Sequence, residues 1–328
     1  MLPLARLVAA LLAGSMLCAG LAPGSAAASD AFVDRTYFVP VPLLLRGAPK
    51  VAHGGGLLPY TMDARIAPPI VMTSSLQPWG QRDGFSHAYV FTPRVDLRQT
   101  VEHSLPVPTP ALWPTLQFRH SWEYGPPTLR RRFLLELLFA HISNGQKGCF
   151  FAGQVAEGTR CVWPDGVARE RGPLNHVDGS YSRNELGLRF AYTQGLGPNR
   201  LQVGVGTVSY VPYAGGLEPI EREITGRGRN ELRLAWHRDL TLPRLGPGRV
   251  SLRAEAVQRW NTGPQVGAMT GDVMLSYSLR ALHHWGPWVR WVAGADPYNI
   301  RQDVQIHMLA FGFVWDLRIV DADVLRRP

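Results

Sequence analysis

From Leu116 onward, apolar residues fall on every second position, segment after segment. Leu116, Phe118, His120, Trp122 and Tyr124 alternate with Gln117, Arg119, Ser121 and Glu123. A period of two belongs to a strand, whose side chains point alternately to opposite faces. The pattern returns at residues 133–139, 186–192, 201–205, 232–236, 250–256, 273–279, 289–291 and 309–317. Two weaker segments precede these, at residues 70–76 and 88–97; in the second, Pro93 cannot donate to a ladder. The apolar face persists through almost every strand. Short turns, such as residues 195–199 and 245–248, alternate with longer loops. This predicts an all-β fold, a transmembrane antiparallel β-barrel of about 12 strands, since an open sheet edge cannot sit in lipid. Trp122, Trp236, Trp260, Trp291 and Trp315 fall on or near the apolar faces, as interfacial girdles do.

The first residues support export. Arg6 precedes a mainly apolar run over residues 7–22, and Ser25-Ala26-Ala27-Ala28 is small. Residues 1–28 read as a secretory signal peptide. Cys18 follows Met16 and Leu17, which are too large for a lipidation site. Residues 29–66 are rich in Pro and Gly, lack clean periodicity, and read as an N-terminal extension with one strand near residues 37–45. The barrel is expected over residues 67–320, with a long outer loop at 145–180 and a C-terminal tail at 321–328. Hydrophobic residues make up 45% of the chain. That figure suits a soluble protein or a barrel, so periodicity has to decide between them. The net charge of +9 suits solvated loops, the lumen and a basic rim facing anionic head groups. The basic residues form no nucleic-acid motif, so no nucleic-acid partner is expected. Cys149 and Cys161 are expected to pair as a disulfide in an oxidising compartment.

One strand ends oddly. Phe133, Leu135, Leu137 and Phe139 share a face with His141 and Ser143. A base two residues from a hydroxyl can activate it for acyl transfer, provided a third group fixes the imidazole. The following strand offers two such groups, and parity separates them. Asn184 shares the face of Leu186, Leu188 and Phe190, whereas Glu185 shares that of Arg183 and Arg189. If the two strands form a hairpin, Asn184 lies near His141 on the lipid side. Glu136, Glu185, Arg183 and Arg189 are expected to form a charge network in the lumen. His120 reads as an interfacial residue, and His283 and His284 as solvated turn residues.

At these residues the chain resembles the outer-membrane phospholipase A family, calcium-dependent barrel esterases activated by dimerisation. The matching motifs are His141-Ile142-Ser143-Asn144-Gly145 and Ser180-Tyr181-Ser182-Arg183-Asn184, joined by Arg259-Trp260-Asn261-Thr262-Gly263 and the terminal hairpin. The resemblance covers residues 115–320 and is weak before them. It implies an outer-membrane hydrolase acting in lipid degradation, with Ser143 as nucleophile, His141 as base and Asn184 orienting the ring. It also implies that the Gly145 N–H holds the oxyanion, and that Gln146 and Ser180 contribute oxygens to Ca2+. The implied partners are membrane phospholipids and a second copy of the chain. Two departures stand out: Ile142 replaces a usually acidic residue, and the loop between Ser143 and Asn184 is far longer than the family's.

Two other readings fit a barrel of this kind. A lipid A deacylase would use His, Ser and an acidic partner, and so would need Glu185 on the face of His141. A non-enzymatic pore or structural barrel would need none of these residues.

Overall fold

The computed structural model describes residues 36–44, 60–67, 69–74, 83–100, 110–146, 148–158, 160–165, 174–175, 179–196, 199–211, 227–242, 246–262, 267–279, 282, 285–296 and 305–315. Fifteen strands follow in chain order: β1 Thr36–Leu44, β2 Tyr60–Ile66, β3 Ile70–Ser74, β4 Gly84–Thr100, β5 Ala111–Tyr124, β6 Arg131–Ser143, β7 Val155–Glu157, β8 Arg160–Val162, β9 Ser182–Leu196, β10 Asn199–Val211, β11 Gly228–Leu242, β12 Gly246–Trp260, β13 Met269–Leu279, β14 Trp285–Ala295 and β15 Gln305–Trp315. All but β7 and β8 belong to one antiparallel sheet.

The sheet order is β2-β1-β15-β14-β13-β12-β11-β10-β9-β6-β5-β4-β3, and β2 also pairs with β4. That extra pairing, Ala64 opposite Leu97 for example, links the two ends of the sheet. β2 and β3 lie in succession along one edge of β4, β2 against residues 95–100 and β3 against 88–91. Connection lengths alternate as expected for a barrel. Residues 125–130, 197–198, 243–245 and 280–284 join strands at one end, and 101–110, 144–181, 212–227, 261–268 and 296–304 at the other.

The distribution of side chains is that of a globular protein turned inside out. Phe139, Leu186, Phe190, Val205, Phe311 and Phe313 are exposed, while Arg119, Glu136, Glu185 and Arg189 are buried. Such a surface is stable only against lipid, which confirms a transmembrane barrel. The lumen has two sectors. Met274, Trp288, Val292, Ile306, Met308, Ala310 and Val314 pack an apolar cluster on β13, β14 and β15. Elsewhere the wall mixes small apolar clusters, such as Leu138, Ala140, Val208 and Tyr210, with buried charge. Glu136 pairs with Arg119 (2.7 Å) and Arg189 (2.9 Å), and Glu185 with Arg183 (3.0 Å). Arg229 and Glu231 join these pairs into one network, Arg229 reaching Glu185 at 2.5 Å and Glu231 at 2.8 Å, and Arg189 reaching Glu231 at 2.9 Å. The four residues named from parity thus belong to a larger set.

The sheet begins earlier than expected. β1 and β2 lie inside the segment read as an extension. β1 pairs with β15 and β2 with β4, so residues 36–44 and 60–66 are barrel wall. β1 matches the strand expected near residues 37–45, whereas β2 went unread in its Pro- and Gly-rich surroundings. Pro93 is tolerated within β4 because Pro114 of β5 stands opposite it, so both missing donors fall on one rung. The segment read as signal peptide, the C-terminal tail, His283 and His284 lie outside the described residues. Trp122 and Trp291 are exposed on the outer face as expected. Trp236 and Trp260 are half-buried, and the side chain of Trp315 lies outside the described residues. His120 is not isolated: its ring stacks on Phe85 at 5.5 Å, beside a row linking Phe85, Trp122, Tyr124, Phe133 and Tyr192. Cross-strand neighbours made that row, and they are invisible along one strand.

Candidate active site

β6 and β9 are adjacent strands despite the long segment between them. Their register sets Phe139 opposite Leu186, Ala140 opposite Glu185, His141 opposite Asn184 and Ser143 opposite Ser182. Directly opposed residues share a face. His141, Ser143 and Asn184 therefore emerge together on the outer surface, just beyond the exposed apolar band formed by Phe133, Leu137, Phe139 and Leu186. All three are half-buried. The site lies at the barrel end that carries the longer connections.

His141 Nδ1 lies 2.8 Å from the side-chain oxygen of Asn184. That oxygen only accepts, so the bond places the proton on Nδ1 and leaves the Nε2 lone pair free. Ser143 Oγ accepts the N–H of Gly145 at 3.3 Å, and no hydrogen bond joins Ser143 to His141 among the described residues. Gly145 has φ +65°, a left-handed conformation that glycine adopts at low cost. A Cβ there would meet nothing within 4 Å, so the requirement is one of backbone conformation and not of space.

Glu185 is on the opposite face. It is fully buried and held by Arg183 and Arg229. An imidazole on the lipid side has no access to it, which removes the arrangement a lipid A deacylase reading would need.

Asn144 has a role that inspection of the sequence missed. Its side chain is buried and ties the start of the long loop to its end. Its Nδ2 donates to the carbonyl of Gly179 (2.6 Å), and its Oδ1 accepts from the N–H of Tyr181 (2.9 Å) and of Gln146 (3.3 Å). Its own N–H donates to the Tyr181 carbonyl at 3.1 Å, and the Ser180 N–H to the Gly148 carbonyl at 2.8 Å. The long loop thus leaves and re-enters the sheet through one clasp, immediately beside Ser143. The place of Asn144 in the His141–Gly145 motif is a signal that the position matters, but not of what it bonds.

Above the clasp the loop has its own small core. Phe150, Phe151 and Leu174 pack on Ile142 and Tyr181, flanked by Trp113 and Trp163. Ile142 points inward and forms the floor of this core, a use for an apolar residue at that position. Cys149 and Cys161 are disulfide-bonded, with Cα atoms 5.6 Å apart, and close the β7–β8 hairpin onto the loop's first turn.

The clasp brings Gln146 and Ser180, the two residues expected to supply metal oxygens, onto neighbouring stretches of backbone. Both would offer neutral oxygens. Among the described residues no group of three His, Cys, Asp or Glu side chains stands ready to hold a metal.

No family model matches the chain, and no curated protein matches it in sequence. Among solved structures, outer membrane phospholipase A from Escherichia coli is 14% identical with a TM-score of 0.49, covering 86% of this chain and 90% of its own. The calcium-bound dimer of Salmonella typhi outer membrane phospholipase is 15% identical with a TM-score of 0.48 and the same coverage. The β-domain of the Bordetella autotransporter BrkA is 9% identical with a TM-score of 0.34, covering 86% of this chain and 97% of its own. The chain is a transmembrane β-barrel, similar to outer membrane phospholipase A.

Proposed function

We propose that this barrel is an outer-membrane phospholipase that hydrolyses acyl esters of phospholipids from its lipid-facing side. The observation that carries this reading is the 2.8 Å contact between His141 Nδ1 and Asn184, beside Ser143 and on the membrane face. A pore or structural barrel has no need of an oriented base next to a hydroxyl there.

In this mechanism Ser143 Oγ attacks the ester carbonyl of a lipid whose chains lie along the apolar wall below. His141 Nε2 takes the hydroxyl proton, and Asn184 holds the ring in the tautomer that makes this feasible. Asn184 is neutral, so it orients the imidazolium but stabilises it less than a carboxylate would. The carbonyl oxygen becomes anionic beside the Gly145 N–H, which can turn from Ser143 Oγ to the new charge. His141 then returns its proton to the leaving alcohol. Water, deprotonated by the same nitrogen, releases the fatty acid from Ser143.

Gln146 and Ser180 would hold Ca2+ together with backbone carbonyls of the clasp. When bound, the ion supplies positive charge next to the developing oxyanion. An all-neutral donor set predicts weak affinity, on the order of 10⁻⁴–10⁻³ M. A second copy of the chain, as in the family resembled at these motifs, is the proposed activating partner.

The test is phospholipid hydrolysis in mixed micelles, by wild type and by Ser143→Ala, with calcium and with chelator. Fatty-acid release by wild type alone supports the reading, and loss of release with chelator supports the metal site. Absence of any release by folded wild type, or equal release by Ser143→Ala, would overturn it.

A further inference from the structure

The barrel lumen contains a cavity of about 100 Å³ that neither the esterase chemistry nor the charge pairing of the wall explains. Eight arginines line it, against the carboxylates of Glu231, Glu255 and Asp272. Asp96, Glu136 and Glu185 pair with lining arginines from just outside, which brings the carboxylates to six. Among the described residues the cavity is therefore short of negative charge.

The deficit is local. Arg259 is 7% exposed, and among the described residues its side chain bonds only to the Thr270 hydroxyl, at 3.1 Å, while its Nε has no partner there. Arg183 and Arg229 lie within electrostatic reach of it as like charges. Arg183 is 6% exposed and meets Glu185 through Nε and Nη2, which leaves Nη1 without a partner. Its guanidinium lies over the Tyr210 ring at 4.0 Å, and the buried Tyr210 hydroxyl is also unpartnered. Isolated buried cations are costly unless an opposite charge or full hydrogen bonding compensates them. A wall that keeps two guanidinium groups with idle N–H donors around one cavity is built for an acceptor that none of the described residues supplies.

We propose that this lumenal cavity is a binding site for a phosphate-type oxyanion, held by Arg183 and Arg259 with Arg229 adding charge. Planar guanidinium forks match tetrahedral oxyanions, and the size of the cavity admits one such group with a few waters. The ligand is either free phosphate or the phosphate of a small phosphorylated solute. The site is separate from Ser143, and the inference stands whether or not the esterase reading does.

Isothermal titration calorimetry on the detergent-solubilised full chain tests this. The probes are inorganic phosphate, sn-glycerol 3-phosphate and sodium chloride at matched ionic strength. Saturable binding of phosphate without a comparable chloride signal is expected, with about tenfold or greater weakening in Arg259→Gln. Tighter binding of glycerol 3-phosphate than of phosphate would point to a phosphorylated solute, and the reverse order to the free ion. Glu255→Gln removes a lining carboxylate and is expected to shift affinity the other way, so the proposal stays testable even if Arg259→Gln does not fold. Ser143→Ala is expected to bind phosphate like wild type. No saturable phosphate binding, or affinities unchanged in both Arg259→Gln and Glu255→Gln, would overturn the assignment.

Discussion

Asn184 and Glu185 are consecutive residues of β9 with side chains of comparable reach, yet they serve opposite faces. Asn184 meets His141 on the outer surface, and Glu185 is buried between Arg183 and Arg229 in the lumen. β6 repeats the contrast, with His141 and Ser143 outside and Glu136 and Ile142 inside. The outer face holds a few half-buried polar groups whose proposed value is chemical. The inner face holds many buried charges, most of them paired across strands. One backbone carries both because strand parity insulates them, so damage to either face should leave the other's property largely intact.

Substitutions at four positions test the two faces and the loop beside the site. The largest effect is expected from Ser143→Ala, which should lower ester hydrolysis by about 10⁴-fold, near 5.5 kcal/mol of transition-state stabilisation, with thermal unfolding unchanged. Loss of the folded barrel in this variant would show that the outer face is structural after all. Glu136→Ala should act in reverse. It leaves the buried Arg119 and Arg189 without their shared carboxylate, at a cost of about 3–5 kcal/mol in a denaturant titration. The activity of whatever fraction remains folded should stay close to wild type.

The loop over the site belongs to neither face. Cys161→Ser opens the cross-link to Cys149 and is expected to cost about 3 kcal/mol by the chain-entropy argument, an effect that reductant should reproduce in wild type. Asn184→Ala is the smallest of the four. A neutral orienter contributes less than a carboxylate, so a fall of about 10²-fold in kcat, near 2.7 kcal/mol, is expected with little change in KM. Asn184→Asp should recover part of that loss, because it restores an acceptor to Nδ1. A full collapse of activity in Asn184→Asp, with the barrel folded, would mean that Asn184 donates to the ring instead of accepting from it.

The fold was readable along the chain wherever alternation was unbroken. β5, β6 and β9 through β15 all announced themselves by a period of two, and parity alone separated Asn184 from Glu185. β1 was only partly legible, because Pro40 and Pro42 interrupt it, and β2 was missed, because it is a short strand set in a Pro- and Gly-rich stretch. Distance along the chain hid the aromatic row from Phe85 to Tyr192, which runs across strands. It also hid Arg229 and Glu231, which join two charge pairs from a strand far away in sequence.

The sequence by itself determined which residues face lipid and which face the lumen, since that depends only on the period of the strand and is settled residue by residue. It determined that His141, Ser143 and Asn184 share a side. The tertiary structure decided what lies next to what. It set His141 level with Asn184 across a loop of more than thirty residues, bound that loop's two ends through Asn144, and closed a ring of arginines around a cavity. Those outcomes depend on strand register and on the packing of distant segments. Neither is written in the pattern of any one strand.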